Sequence, residues 1–172
     1  MHGTLDNEDR QYVRQAVELS KGYEQNQSRW PFGAILVMDG KVVGQGVNQV
    51  VELHDPAAHA EIMALRDAGA ATGQHIFQDS VLYSSCEPCP MCLAACCWAL
   101  VPRIVYAATS YDTADYGLRD RAIYDELALP PEHRSIRADA SDEDLRQEAI
   151  AAVRDWTQRY RRTGVHKVLA DD

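Results

Sequence analysis

Two short, distant runs, His59-Ala60-Glu61 and Pro88-Cys89-Pro90-Met91-Cys92, constrain this chain more than any other feature. Together they offer one imidazole, two thiols and a spare carboxylate. Zinc takes nitrogen and sulfur ligands, and a hydrolytic zinc site keeps three protein ligands and one open position. Cys89 and Cys92, at i and i+3, share one face of a helix and can grip a single ion. His59 and Glu61, at i and i+2, diverge along a regular helix, which suits a ligand and a non-ligand better than two ligands. H-x-E alone is a common coincidence, and C-x-x-C alone also reads as a redox pair or half of a structural zinc ribbon. Jointly, each preceded by a proline and each opening a helical stretch, they read as a catalytic zinc site with His59, Cys89 and Cys92 as ligands. The competing reading is a closed structural site with Cys86 as fourth ligand, which would leave Glu61 without a chemical role.

The chain has 172 residues, enough for one domain with a single substantial core. It has no long apolar run and a polar start, Met1-His2-Gly3-Thr4, so the expectation is a cytoplasmic protein without a membrane span. The 5 cysteines crowd between Cys86 and Cys97, a poor disulfide framework that fits a reducing compartment. A formal charge of −9 argues against a polyphosphate partner, since nucleic-acid binding normally needs a basic footprint. The local exception, Arg159-Tyr160-Arg161-Arg162 with His166 and Lys167, reads first as cations closing the negative end of the last helix.

Asp6 and Asn7 can cap a helix running to about Gln25. Ala34-Ile35-Leu36-Val37-Met38, the turn Asp39-Gly40 and Lys41-Val42-Val43-Gly44 form a β-hairpin, with Asn48 in the loop that leaves it. Asp55-Pro56 opens a helix through His59 to about Ala68. Residues 80–85 form a strand, Pro88 opens the cysteine helix, and residues 103–108 form another strand. Helical turns over 113–128 follow, and Ser141 with Asp144 forms a capping box for a helix through about Arg162. Helices interleaving the later strands predict an α/β fold with a mixed sheet covered on both faces.

Bound zinc lowers the pKa of a water it holds toward neutrality. Glu61 can then take a proton from that water and pass it to a substrate atom or leaving group. Asn48 offers a donor and an acceptor in one side chain, suited to the edge of a base. Trp98, Phe32 and Trp30 could stack on a heterocycle or simply fill the core.

The H-x-E and P-C-x-x-C pair is the pattern of zinc-dependent base deaminases. Pro31-Phe32-Gly33-Ala34, Asn48, Asp55-Pro56-Ala57-Ala58-His59-Ala60-Glu61 and Ser85-Cys86-Glu87-Pro88-Cys89-Pro90-Met91-Cys92 resemble the cytidine deaminase superfamily. Within it the chain is similar to small bacterial guanine deaminases and their tRNA-adenosine deaminase relatives. The resemblance implies a three-layer α/β/α sandwich around a mixed five-stranded sheet, with residues 135–138 as candidate for the fifth strand. It implies a homodimer with one zinc per chain, a single domain over residues 1–172, and residues 141–172 packing over an active site. It also implies a small-molecule nucleobase substrate, held by Asn48, Asp120, Phe32, Trp98 and Ala60, with Glu61 catalytic. The run from Gly117 to Leu127 and Trp98 favour guanine, converted to xanthine and ammonia; adenosine in tRNA, guanosine, or a non-catalytic zinc-stabilised protein are the alternatives. Arg119-Asp120 stands where two consecutive acids are usual, Ala94 where glycine is usual, and no aromatic follows Trp156 at the matched distance, where His166 lies nearby.

Overall fold

The computed structural model describes residues 5–160, which form two compact units dividing after Asp125. In the first unit, α1 (Asn7–Leu19) is capped by Asp6, whose carboxylate accepts from the Asp9 N–H at 2.7 Å. It passes into a 3-10 turn, Ser20–Glu24, which accounts for the helix expected to about Gln25. Strands β1 (Trp30–Met38) and β2 (Lys41–Asn48) form the hairpin. Its turn residues Asp39 and Gly40 have φ of 51° and 69°, the left-handed pair that a two-residue hairpin loop requires. Asn48 is the last residue of β2, and buried, rather than part of a loop.

A short α2 (Val50–Leu53) leads to α3 (Ala60–Thr72). Then come β3 (Ser80–Cys86), α4 (Pro90–Trp98), β4 (Arg103–Ala108), α5 (Ser110–Ala114) and α6 (Arg121–Ala128). Among the described residues the sheet has four strands in the order β2-β1-β3-β4, antiparallel except for the parallel β3–β4 pair. A fifth strand is not formed at residues 135–138. That stretch is exposed, Ile136 included, and its polar groups are taken up locally: the Ser135 N–H and hydroxyl are bound by Glu126, and Arg137 is paired with Asp139.

Two cores lie on opposite faces of the sheet. Tyr12 of α1 packs with Ile35, Val37, Tyr83 and Val105 on one side. On the other, Ala60, Ala64 and Ala68 of α3 meet Ala34, Leu36, Leu82 and Cys96 of α4. The three alanines recur every fourth residue, so they form one small-residue stripe that lets the helix lie close to the strands. Opposite that stripe β2 carries Gly44 and Gly46. A Cβ on Gly46 would sit 2.2 Å from the Ala60 carbonyl oxygen, and one on Gly44 2.3 Å from that of Ala64. Helix backbone therefore rests directly on strand backbone, which fixes the start of α3.

The second unit contains a 3-10 turn (Pro131–His133) and α7 (Glu143–Tyr160). Asp142, not Ser141, caps α7: its carboxylate accepts from the Leu145 N–H at 3.0 Å, while the Ser141 hydroxyl donates to the Asp142 carbonyl. The cationic run from Arg161 to Lys167, including His166, lies outside the described residues.

Candidate active site

His59 and Cys89 are both helix N-caps. His59 has extended backbone (φ −70°, ψ 156°) and α3 begins only at Ala60, so Pro56 does not open that helix; Asp55 instead makes a turn, accepting from the Ala57 N–H at 2.8 Å. Cys89 is likewise extended (ψ 169°) because Pro90 follows it, and Pro90 occupies the first helical position where its missing N–H costs nothing. Cys92 is then in the first turn of α4. The sequence argument placed each pair on a regular helix. The extended caps change the geometry, allowing His59 and Glu61 to enter one pocket despite their i, i+2 spacing.

A ring nitrogen of His59 and the Sγ atoms of Cys89 and Cys92 all lie within 4.8 Å of one another. His59 Nδ1 is 3.6 Å from Cys89 Sγ. Zinc bonds of about 2.0 Å to nitrogen and 2.3 Å to sulfur, meeting tetrahedrally, put those atoms about 3.5 Å apart, so the donor set and its spacing fit the ion. Interaction with Cys92 lowers the Cys89 thiol to about 4, and the same interaction, with burial, pushes Cys92 up. Contact with Cys89 raises His59 despite its partial burial. Cys89 caps the positive end of α4, which favours its thiolate.

Cys86 is separate. Its Sγ approaches the Thr109 carbonyl at 4.0 Å, and burial pushes its thiol up to about 11. Among the described residues it does not join the donor cluster, so the reading with Cys86 as fourth ligand is not what the fold arranges.

Glu61 is buried, and its Oε1 accepts from the Ser84 hydroxyl at 2.9 Å. Burial raises its pKa. Asn48, Glu61, Asp120 and Phe32 line one pocket together with His59 and Cys89. The Asn48 Oδ1 accepts from the Val50 N–H at 3.2 Å, which leaves its amide nitrogen as the available donor. Asp120 is raised by burial and by the charge of Cys89, with His59 acting the other way.

Two of the expected contacts fall elsewhere. Trp98 ends α4 and is 65% exposed; eight residues of helix carry it about 12 Å from Pro90, and it does not line the pocket. Trp30, at the start of β1, lines it instead. The Ala60 side chain is fully buried in the core between α3 and the sheet. Sequence reasoning missed Ser84, Glu87 and Leu118 as site residues. Ser84 was legible only as an alternate position in a buried strand, Glu87 lies in the loop between β3 and α4, and Leu118 depends on how the loop after β4 folds back.

The description of the family model that matches residues 6–108 is the cytidine and deoxycytidylate deaminase zinc-binding region. The chain belongs to this family. Zinc is therefore its metal, and His59, Cys89 and Cys92 are the residues that could hold it. Among relatives, guanine deaminase of Bacillus subtilis (strain 168) is 46% identical over 106 residues, 62% of this chain and 68% of that protein. A tRNA-specific adenosine deaminase of Agrobacterium fabrum is 45% identical over 78 residues, but this covers 45% of this chain and only 51% of that protein. The X-ray structure of guanine deaminase from Bacillus subtilis superposes with a TM-score of 0.82 at 33% identity, covering 96% of this chain and 100% of that one. The likeness of fold thus covers more of the chain than the likeness of sequence.

Proposed function

We propose that the protein deaminates guanine hydrolytically, with His59, Cys89 and Cys92 holding one zinc ion per chain. When bound, the metal supplies an activated water near neutral pH. Glu61, buried beside the three ligands and held by Ser84, moves protons: from that water to a ring nitrogen, and then to the departing amine. Phe32 and Trp30 give the pocket flat apolar walls for a heterocycle.

The observation that carries the choice of guanine is Asp120 in the same pocket as Glu61 and the metal ligands. Guanine presents N1–H and its 2-amino group as adjacent donors, which a carboxylate accepts together, whereas adenine presents an acceptor at N1. The Asn48 amide nitrogen complements this by donating to an acceptor on another edge. The extent of the likeness to the Bacillus guanine deaminase, in sequence coverage and in fold, supports the same reading over a tRNA substrate, as does the formal charge of −9. Among the described residues no helix is long and apolar enough to cross a membrane. Met91, Leu93 and Trp98 leave an apolar face exposed on α4, and we assign that face to a homodimer.

Ammonia release from a panel containing guanine, guanosine, other amino-purines and an anticodon stem-loop bearing adenosine tests the proposal. Guanine turned over best supports it. Deamination confined to the stem-loop would transfer the assignment to RNA, and no release from any substrate would leave a zinc-stabilised binding protein.

A further inference from the structure

Asp120 lies in the turn between α5 and α6, on a segment that follows the last strand and has no sheet hydrogen bonds of its own. Its position over the pocket has to come from elsewhere. The structure supplies two side-chain anchors, one on either side of Asp120 in sequence, and both end on adjacent residues of the loop that leads into Cys89. On the near side, the Ser110 N–H donates to Glu87 Oε2 at 2.9 Å. On the far side, the Tyr124 hydroxyl donates to the Pro88 carbonyl at 2.9 Å. Backbone pairing between the Glu87 N–H and the Ala108 carbonyl at 2.8 Å sets the register in which these anchors meet. Within the segment, Thr109 and Asp112 form a capping box and Gly117 turns the chain with a φ of 88°. The segment is therefore internally ordered and pinned at both ends to the metal-ligand loop.

We infer that Glu87 and Tyr124 are positioning residues that hold Asp120 at a fixed distance from the zinc ligands, so that the group reading the base keeps its register with the group moving protons. This rests on the assignment of Asp120 to base recognition given above. Both lie in runs that carry the family resemblance, which gave neither of them a role. Glu87 acts through its acceptor oxygen and Tyr124 through one hydroxyl. Losing either anchor loosens the reader while leaving His59, Cys89, Cys92 and Glu61 in place. The predicted signature is a change in substrate affinity more than in the chemical step.

The test uses the zinc-loaded full chain as Tyr124→Phe, Glu87→Ala and Glu87→Gln, each with and without Asp120→Ala. Amide hydrogen exchange and guanine kinetics are measured on each. Tyr124→Phe and Glu87→Ala should keep their zinc, accelerate exchange over residues 110–124 by about two- to tenfold and raise KM by a similar factor, with kcat nearly unchanged in Tyr124→Phe. Glu87→Gln should restore both readings, because the amide oxygen still accepts from Ser110; a purely charge-based role at the substrate would not be restored. In the Asp120→Ala background the anchors should no longer affect KM. Unchanged exchange over 110–124 in Tyr124→Phe and Glu87→Ala overturns the anchoring. A normal KM in Asp120→Ala alone overturns the recognition role of Asp120, and exchange distinguishes that failure from loss of the anchors.

Discussion

Replacing Gly46 by alanine adds a single methyl group on a strand, yet it should damage both stability and catalysis. The new Cβ would lie 2.2 Å from the Ala60 carbonyl oxygen, 2.5 Å from the Ala64 nitrogen and 2.7 Å from the Met63 Cβ. Carbon–oxygen contacts normally fall at about 3.3–3.6 Å, so α3 must retreat by roughly 1 Å. Two of the three atoms met are helix backbone, which no rotamer change can move aside. Overpacking typically costs about 1–3 kcal/mol, and a backbone clash belongs at the top of that range. With a urea dependence of about 2 kcal/mol per molar, the unfolding midpoint should fall by about 1.5 M. The retreat occurs in the first turn of α3, next to His59 and Glu61, and a misplacement of about 1 Å can cost about a hundredfold in rate. Gly44→Ala is the control. Its Cβ would meet the Ala64 oxygen at 2.3 Å and the Ala68 nitrogen at 2.6 Å, one turn further from His59. It should lose as much stability as Gly46→Ala and much less turnover. Urea unfolding, zinc content and guanine turnover on both variants provide the comparison. A Gly46→Ala protein with the parent's midpoint and activity would refute the close approach of α3 to β2.

Asp120→Ala should lower kcat/KM for guanine by roughly tenfold to a few hundredfold with zinc retained, as expected when a buried donor pair loses its acceptor. Cys86→Ser should keep the full metal content by elemental analysis, because its sulfur faces Thr109 and lies apart from the donor cluster. Asp9 accepts from the Tyr83 hydroxyl at 2.8 Å and from Arg103, and Asp9→Ala should cost about 2 kcal/mol in chemical denaturation; the half-exposed Arg103 can regain water while the buried Tyr83 cannot. Hydrogen bonds from the Arg103 guanidinium hold the Asp9 carboxyl below the usual carboxylate range. Its contribution is therefore fully present above the unfolded value near about pH 4 and is lost as the pH falls through the depressed folded value. The gap between parent and Asp9→Ala should be flat from neutral pH to about pH 5 and close below that.

The metal centre was legible in the sequence because its chemistry is local. Cys89 and Cys92 sit in one loop and helix turn, and His59 and Glu61 in another, so spacing alone announces what they offer. What spacing could not show is that two of the three ligand residues, His59 and Cys89, are extended N-caps; the signal was present in Pro90, which disfavours a helical conformation at Cys89. The hairpin was legible from Asp39-Gly40, and the glycines of β2 could have been read as a close approach of another backbone. The substrate end of the pocket was harder. Trp98 looked like a stacking residue by chemistry, but its distance along α4 carries it away, and Trp30 lines the pocket from a strand end. Ile136 and Ala138 alternate with polar residues as in a strand, but four residues are too few for that pattern to separate an exposed loop from a weak edge strand. Glu87 and Tyr124 meet Ser110 and Pro88 through contacts that exist only once the segment after β4 has folded back, and such contacts leave no period or spacing to find.

The central claim is a three-ligand zinc centre beside a carboxylate that moves protons without binding the metal. Glu61→Gln tests it most directly, with zinc content and guanine turnover measured on the same preparation. The account predicts one zinc per chain, as in the parent, and turnover lost by several orders of magnitude, because the amide keeps the shape of the carboxylate and loses its basicity. Loss of the zinc would make Glu61 a ligand, and retention of both zinc and turnover would remove it from the chemistry; either result contradicts the account.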